Sequence, residues 1–418
     1  MRVQRCKGTR DLCPEEMARF RFVEGVFREC CLKWGYEEVK TPTLEYLHLF
    51  TSTGTLTPTL LSKVYSFLDW DGWSGERVVL RPDATIPVAR LYIENLRDKG
   101  LAKLFYITNI FRFEETGKET RDRWQGGAEL IGVSSPVADV ELITMAREIL
   151  GKLGLKDAEL RLTHAGLIRS LLQELGLSPQ EQAKVFDQIL DGDAGALAKI
   201  KSERPELGRA MVSLLDLQGK SSGFLKNLRA LLSFDLPDLA PHIENFISIV
   251  DLLKAMGVKY QIDIACGRGF EYYTGLIFQF FVGEEKIGGG GRYDALIPLM
   301  GGGDVPASGF GLYFDYLMKS APAAFAKGKT AKVLVRAAGD NLKEALSAVS
   351  RLHEAGYVAE LDLTDRKRQG FRWTLDVQSQ KPVYILRDAV KKTRFEAQNM
   401  EEVLRLTGEG NVTKDSTA

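Results

Sequence analysis

A small zwitterion asks three things of a protein: a fixed cation, some hydroxyls, and main chain bare enough to approach. One stretch of this chain offers all three. From Asp263 to Asp294 it reads DIACGRGFEYYTGLIFQFFVGEEKIGGGGRYD. Arg268, in a tight Gly267-Arg268-Gly269 turn, presents a planar guanidinium suited to a carboxylate. Tyr272, Tyr273 and Tyr293 bring phenols, and the run Gly288 to Gly291 leaves backbone open to a ligand. The same residues also read as a strand pair closed by a glycine-rich turn, with its arginines on the surface.

Two other places carry polar residues of the right kind. Val78-Val79-Leu80-Arg81 reads as a strand that runs into Pro82-Asp83-Ala84-Thr85, and Pro87 opens a helix. Asp83 and Thr85 there either cap the helix or point into a cleft. The alternating runs Leu104 to Phe113 and Gln125 to Gly132 form a long hairpin whose tip, Glu114 to Arg123, is polar and charged. Gln125, Gly127 and Glu129 are two apart and so share one face of their strand. A Gln and a Glu on one face point to a polar ligand, or to an internal network with Arg112.

These sites are carried by elements that alternate along the chain. Residues 15–34 repeat apolar side chains at helical spacing behind Pro14, with Gly35 as a stop. Tyr36 to Val39 is a strand leading to Thr41-Pro42, and Val64 to Leu68 is another. Val137 to Leu153 is a helix. Residues 159–258 then read mostly as helices and form an insertion between the strand-rich halves, and Ser308 to Lys319 is a strand-to-helix passage. The first domain is residues 1–320. An Ala/Lys/Gly-rich linker covers 321–330, and 331–418 is a small α/β domain with strands at 332–336, 358–363 and 383–386. Its cluster Asp365-Arg366-Lys367-Arg368 reads as a solvated turn, and the last residues, from Glu409, as a frayed tail.

Composition narrows the classes. The chain has 418 residues, 44% apolar and 27% charged, with a formal net charge of zero. That neutral balance gives a nucleic-acid partner no electrostatic support. No apolar run approaches the ~20 residues of a membrane span, and no secretory signal is visible. The cysteines (Cys6, Cys13, Cys30, Cys31, Cys266) are irregularly spaced, and the four histidines do not cluster. Reduced thiols, a cytoplasmic setting, no metal and no cofactor are expected.

In this order the motifs resemble the histidyl-tRNA synthetase family. The likeness rests on Gly8-Thr9-Arg10-Asp11, Gly35-Tyr36 to Pro42, Phe111-Arg112-Phe113-Glu114, Arg268-Gly269-Phe270-Glu271-Tyr272-Tyr273 and Gly290-Gly291-Arg292-Tyr293-Asp294. It runs from about residue 6 to 320. The resemblance implies an α+β, class II synthetase-like fold: an antiparallel sheet flanked by helices, dimeric through the Pro42 region. It also implies histidine contacts at Asp83, Thr85, Arg112, Gln125, Glu129, Arg268, Tyr272, Tyr273 and Tyr293. Arg268 would pair the carboxylate, and Asp83, Thr85 and Gln125 would take the ammonium group. Glu129 and Tyr273 would hold the imidazole.

The sequence departs from the synthetases where nucleotide would sit. Tyr316 in SGFGLYFDYL stands where their third class motif has a phosphate-gripping arginine. Asp83 replaces a glutamate, and Arg121-Asp122-Arg123-Trp124 replaces Arg-Gln-Phe-His. With these changes the chain looks like the paralogous family of ATP phosphoribosyltransferase regulatory subunits. That likeness implies a non-catalytic subunit in a hetero-oligomer, an octamer, with the short catalytic subunit of the enzyme. It further implies histidine as effector and no role for tRNA. A working histidyl-tRNA synthetase, another ATP-dependent ligase, and a relic without ligand are the rivals.

Overall fold

The computed structural model describes the chain except residues 1–2, 54–55, 57–60, 70–74, 114–120, 192, 216–221, 233–236, 268–272, 321–330, 338, 340, 365–368, 382 and 410–418. The turn with Arg268 and Tyr272, the hairpin tip, the linker, the charged cluster at 365–368 and most of the C-terminal tail therefore lie outside the described residues. The chain divides into two compact units, Met1–Ala326 and Lys327–Ala418.

The first unit is built on an eight-stranded sheet. Its strands are β1 (Glu37–Glu38), β5 (Ala102–Phe111), β6 (Asp122–Ile131), β7 (Glu159–His164), β8 (Gln261–Ile262), β9 (Leu276–Val282), β10 (Glu285–Arg292) and β11 (Ala307–Tyr313). They lie in the order β1-β5-β6-β11-β10-β9-β7-β8. The interior pairs are all antiparallel, while β1 joins β5 and β8 joins β7 in parallel. The expected α+β class holds, and the antiparallel sheet turns out to be mixed at its two edges. A smaller sheet of β2 (Leu44–Tyr46), β3 (Ser66–Leu68) and β4 (Arg77–Leu80) lies in the same unit, in the order β2-β4-β3.

Both faces of the large sheet are covered, so its strands alternate between two cores rather than between core and water. Phe105, Ala128, Leu130, Phe310 and Leu312 join one core with Phe20 and Phe27 of the Pro14–Lys33 helix and Leu142 and Ile149 of the Pro136–Lys152 helix. Leu104, Tyr106, Ile131, Ala307 and Tyr293 join the other with Ile86, Val88 and Tyr92 of the Thr85–Asn95 helix. The Pro14–Lys33 helix starts where the sequence places it. Pro14 enters its first turn, the Glu16 carboxylate accepts from the Cys13 amide at 3.2 Å, and Gly35 follows its end at φ +79°.

Some expectations gain detail or need correction. The block 159–258 is mostly helical as expected, but it opens with a strand: Leu160 and Leu162 of β7 are buried in the core, and β7 pairs with both β8 and β9. The helical crossover itself runs from Ala165–Gln173 to Ala240–Ala255, which is the long connection that a parallel β7–β8 pair requires. The glycines 288–291 are not a turn. They are the interior of β10, paired to β9 and β11 on either side. And the second unit is larger than three strands. It holds a five-stranded sheet of β12 (Lys332–Ala337), β13 (Val358–Leu361), β14 (Trp373–Val377), β15 (Tyr384–Asp388) and β16 (Thr393–Ala397), ordered β13-β12-β14-β15-β16. Two helices, Leu342–Glu354 and Met400–Glu409, belong to that unit, and its core centres on Val333, Val335, Trp373 and Leu375.

Arg292, part of a motif that reads as a ligand cation or a surface arginine, is neither. It is buried against Asp139 of the Pro136–Lys152 helix, with contacts of 3.2 and 2.9 Å, and donates to the Val133 carbonyl at 2.9 Å. Burial raises the Asp139 carboxyl to about 6 even with the guanidinium beside it. Arg292→Met would strand that carboxyl and is expected to cost about 3–5 kcal/mol of unfolding free energy in a urea titration. The double variant Arg292→Met/Asp139→Leu should recover most of it. A single variant as stable as the parent would show that the pair does not matter.

Candidate functional site

The middle of the sheet lacks side chains on one face. Cross-strand register puts Gly127 of β6 opposite Gly311 of β11, Gly309 opposite Glu129, and Gly289 and Gly291 of β10 opposite Gly311 and Gly309. The missing Cβ atoms are replaced by polar side chains from neighbouring positions, laid flat across the strands. A Cβ on Gly127 would overlap the Tyr106 ring, one on Gly309 the Glu129 carboxylate, and one on Gly311 the Gln125 amide. On Gly291 it would come within 2.8 Å of the Tyr273 ring. These glycines are required by close approach of side chains, which is a different use from a glycine turn.

Glu129 is the centre of the arrangement and is 1% exposed. The Tyr106 hydroxyl donates to its Oε1 at 3.2 Å, and the Tyr293 hydroxyl donates to its Oε2. The Thr85 hydroxyl also hydrogen-bonds it. Burial pushes the carboxyl up to about 8; the three hydroxyls pull it back, and the nearby Asp83 charge pushes it further up. Tyr106 and Tyr273, buried beside these acids, are both raised well above an ordinary phenol, with desolvation the main cause. Gln125 is 7% exposed, and its Oε1 has no hydrogen-bond partner among the described residues. A buried acceptor left this way costs stability until a donor reaches it.

Asp83 serves two ends. Its Oδ1 accepts from the amides of Thr85 at 2.9 Å and Ile86 at 3.2 Å, so it caps the Thr85–Asn95 helix. Burial raises its carboxyl, and the Arg112 charge opposes that rise. Arg112 is thus a neighbour of Asp83 at the exposed end of the hairpin, and not the partner of Gln125 and Glu129 that one reading of the sequence expects. Tyr273 is held from behind: Arg169 of the Ala165–Gln173 helix donates to its carbonyl at 2.7 Å. The structure brings together Asp83, Thr85, Gln125, Glu129, Tyr273 and Tyr293, places Arg112 at the margin, and leaves Arg268 and Tyr272 outside the described residues.

Some contributing residues escape sequence reasoning. Tyr106 is one; its only signal is its register opposite Gly127. Arg81 is another. Buried at 3% exposure, it donates to the carbonyls of Thr41, Pro42 and Asn109 at 2.8–2.9 Å and to the side chains of Thr108 and Asn109. It fastens the Thr41-Pro42 segment to the hairpin two residues before Asp83. Tyr316, where the sequence departs from the synthetases, packs edge-on to Tyr313 at 6.3 Å, and the Lys319 ammonium lies 5.3 Å from its ring centre. The adjacent Asp315 is ion-paired to Arg10.

The site is therefore a cage of hydroxyls around a buried acid, with a spare amide oxygen on a glycine floor. It suits a ligand that donates hydrogen bonds. Because the folded chain holds the Glu129 proton to about pH 8 and an unfolded chain releases it near 4.5, the native state binds more protons between those values. Stability should fall as pH rises through that window. Glu129→Gln removes the effect. In denaturant titrations without ligand it should stabilise the protein by roughly 2–4 kcal/mol at pH 8.5, and by little at pH 4.5. A difference independent of pH would contradict this assignment.

Comparison with known proteins gives a consistent setting. The family model described as Histidyl-tRNA synthetase matches residues 8–317. An ATP phosphoribosyltransferase regulatory subunit from Dehalococcoides mccartyi is 50% identical over 405 residues, 97% of this chain and 98% of that protein. A histidine–tRNA ligase from Methanosarcina acetivorans is 36% identical over 332 residues, 77% of this chain and 76% of that one. Among solved structures, an ATP phosphoribosyltransferase regulatory subunit/histidyl-tRNA synthetase from Bacillus halodurans C aligns with a TM-score of 0.74 at 24% identity, over 88% of this chain and 95% of that one. At that identity the likeness speaks for the fold.

Proposed function

The chain belongs to the histidyl-tRNA synthetase family and, within it, to the ATP phosphoribosyltransferase regulatory subunits, and we propose that it works there as a histidine sensor rather than as a catalyst. It is the regulatory subunit of that enzyme, in the first step of histidine biosynthesis. In this reading it assembles in the cytoplasm as a dimer within a hetero-octamer containing the short catalytic subunit. It makes that subunit active, conveys feedback inhibition by histidine, and has no tRNA substrate.

One observation supports the ligand: the hydroxyl cage that, among the described residues, holds Glu129 without a side-chain cation, next to an acceptor on Gln125 that no described residue fills. Histidine matches it. Its ring N–H reaches Glu129 with Tyr273 alongside, and its ammonium group reaches Gln125, Thr85 and Asp83. In this reading its carboxylate pairs with Arg268, which with Tyr272 and Arg112 is among the contacts the family resemblance implies. Tyr316 in place of a phosphate-binding cation supports the loss of adenylate chemistry, since a charge-assisted contact to a triphosphate is missing. Linkage then requires histidine and the active assembly to oppose each other, with a coupling of about 1–3 kcal/mol.

The test is phosphoribosyl transfer by the short catalytic subunit, with ATP and phosphoribosyl pyrophosphate. Transfer should rise when this chain is added and fall when histidine is added. Glu129→Gln should keep the rise and weaken histidine inhibition about 10–100-fold, the loss of a hydrogen bond to a charged group. Transfer unchanged by this chain, or histidine-dependent ATP–pyrophosphate exchange by the chain alone, would overturn the reading.

A further inference from the structure

Glu129 has no described cation to hold it, so whatever fixes its position and its charge must come from hydroxyls. Three surround it, and they are not equivalent. Thr85 sits at the start of the Thr85–Asn95 helix, and Tyr293 follows β10 in a loop. Tyr106 alone is on an interior strand: it lies in the middle of β5, directly opposite Gly127, and is 2% exposed. The absent Cβ of Gly127 is what lets its ring lie across β6 toward Glu129. The phenol reaches Oε1 at 3.2 Å, while Tyr293 takes Oε2. Each carboxylate oxygen therefore already accepts a hydroxyl proton.

We propose that Tyr106 is the positioning residue of the pocket: its phenol holds Glu129 as a hydrogen-bond acceptor, so that the ligand must donate an N–H and binding is coupled to loss of the Glu129 proton. The balance is simple. The neutral carboxyl gives its proton to solvent buffer, the carboxylate remains, and the ligand N–H donates to it without transfer. The inference rests on the ligand reading above and adds to it the group that sets the acid's protonation.

The groups facing Glu129 are few. Asp83, at the start of the Thr85–Asn95 helix, opposes its ionisation, and Arg112 acts on Asp83 from the hairpin end. Tyr273 before β9, Tyr293 after β10 and Tyr36 before β1 feel its charge but are phenols that stay protonated at neutral pH. Among the described residues these three hydroxyls favour the charged form, and Tyr106 is the one that a sheet strand fixes opposite Gly127.

Tyr106→Phe tests this. The ring keeps its place over Gly127, so thermal stability should change little. In the unliganded protein, the Glu129 carboxyl band in infrared spectra, identified as the band missing in Glu129→Gln, should titrate at a higher pH in the variant than in the parent. Calorimetry with L-histidine from pH 6.5 to 9 should show an affinity loss of about 5–20-fold at pH 7 that shrinks toward pH 9, as Glu129 comes to be ionised in both proteins. Comparing parent and variant at each pH cancels the ligand's own titrations. Proton uptake by two buffers of different ionisation enthalpy should show a larger release for the variant near pH 8. An affinity loss constant with pH, or an unmoved infrared midpoint, overturns the role of Tyr106 while leaving histidine as the ligand. No histidine binding by the parent overturns the ligand reading, and the infrared midpoint still decides whether Tyr106 governs Glu129.

Discussion

A carboxylate lies in the middle of the large sheet because the strand beside it has glycines at the positions that face it. Glu129 leans across Gly309, Gln125 across Gly311, and Tyr106 across Gly127. Polar groups in such a place would be expensive unless hydrogen-bonded, and here the bonds come from hydroxyls rather than from cations. The result is an acid that keeps its proton unusually long and a floor flat enough for a planar ring. The unliganded protein bears the cost of desolvating this acid, and a ligand that donates to it relieves that cost. Sites for ligands are commonly built at such expense.

Around this centre the buried arginines have structural work. Arg292 is committed to Asp139 and ties β10 to the Pro136–Lys152 helix. Arg81 spends its donors on the main chain of Thr41, Pro42 and Asn109, and burial lowers its pKa. It makes the segment ahead of β2 and the hairpin that carries Gln125 and Glu129 one rigid piece. Arg169 does the same for Tyr273 and the helical crossover. Segments around the pocket are thus joined to peripheral elements by single guanidinium groups.

The residues around Glu129 form a coherent, buried network. Near the end of β11, Tyr316 and Tyr313 pack on each other, and Asp315 is engaged by Arg10. Under the proposed reading, a ligand that is bound but not consumed acts by shifting an equilibrium.

The chain by itself determined the order of the motifs, whose family resemblance implies the fold class, and the alternation that puts Gln125, Gly127 and Glu129 on one face. The alternation is local: it follows from side-chain type and a spacing of two residues. Tertiary structure decided the rest. That glycines 288–291 are strand and not turn depends on β9 and β11 arriving on either side. That β7 is a strand, and that β14 and β16 exist at all, depends on pairing partners that short, weakly patterned runs do not name. That Arg292 faces Asp139 and not a ligand, and that Tyr106 and Tyr293 meet at Glu129, depends on register between segments as much as 164 residues apart. Register is a property of pairs of strands, fixed by packing on both faces of the sheet, so no single stretch of the chain carries it.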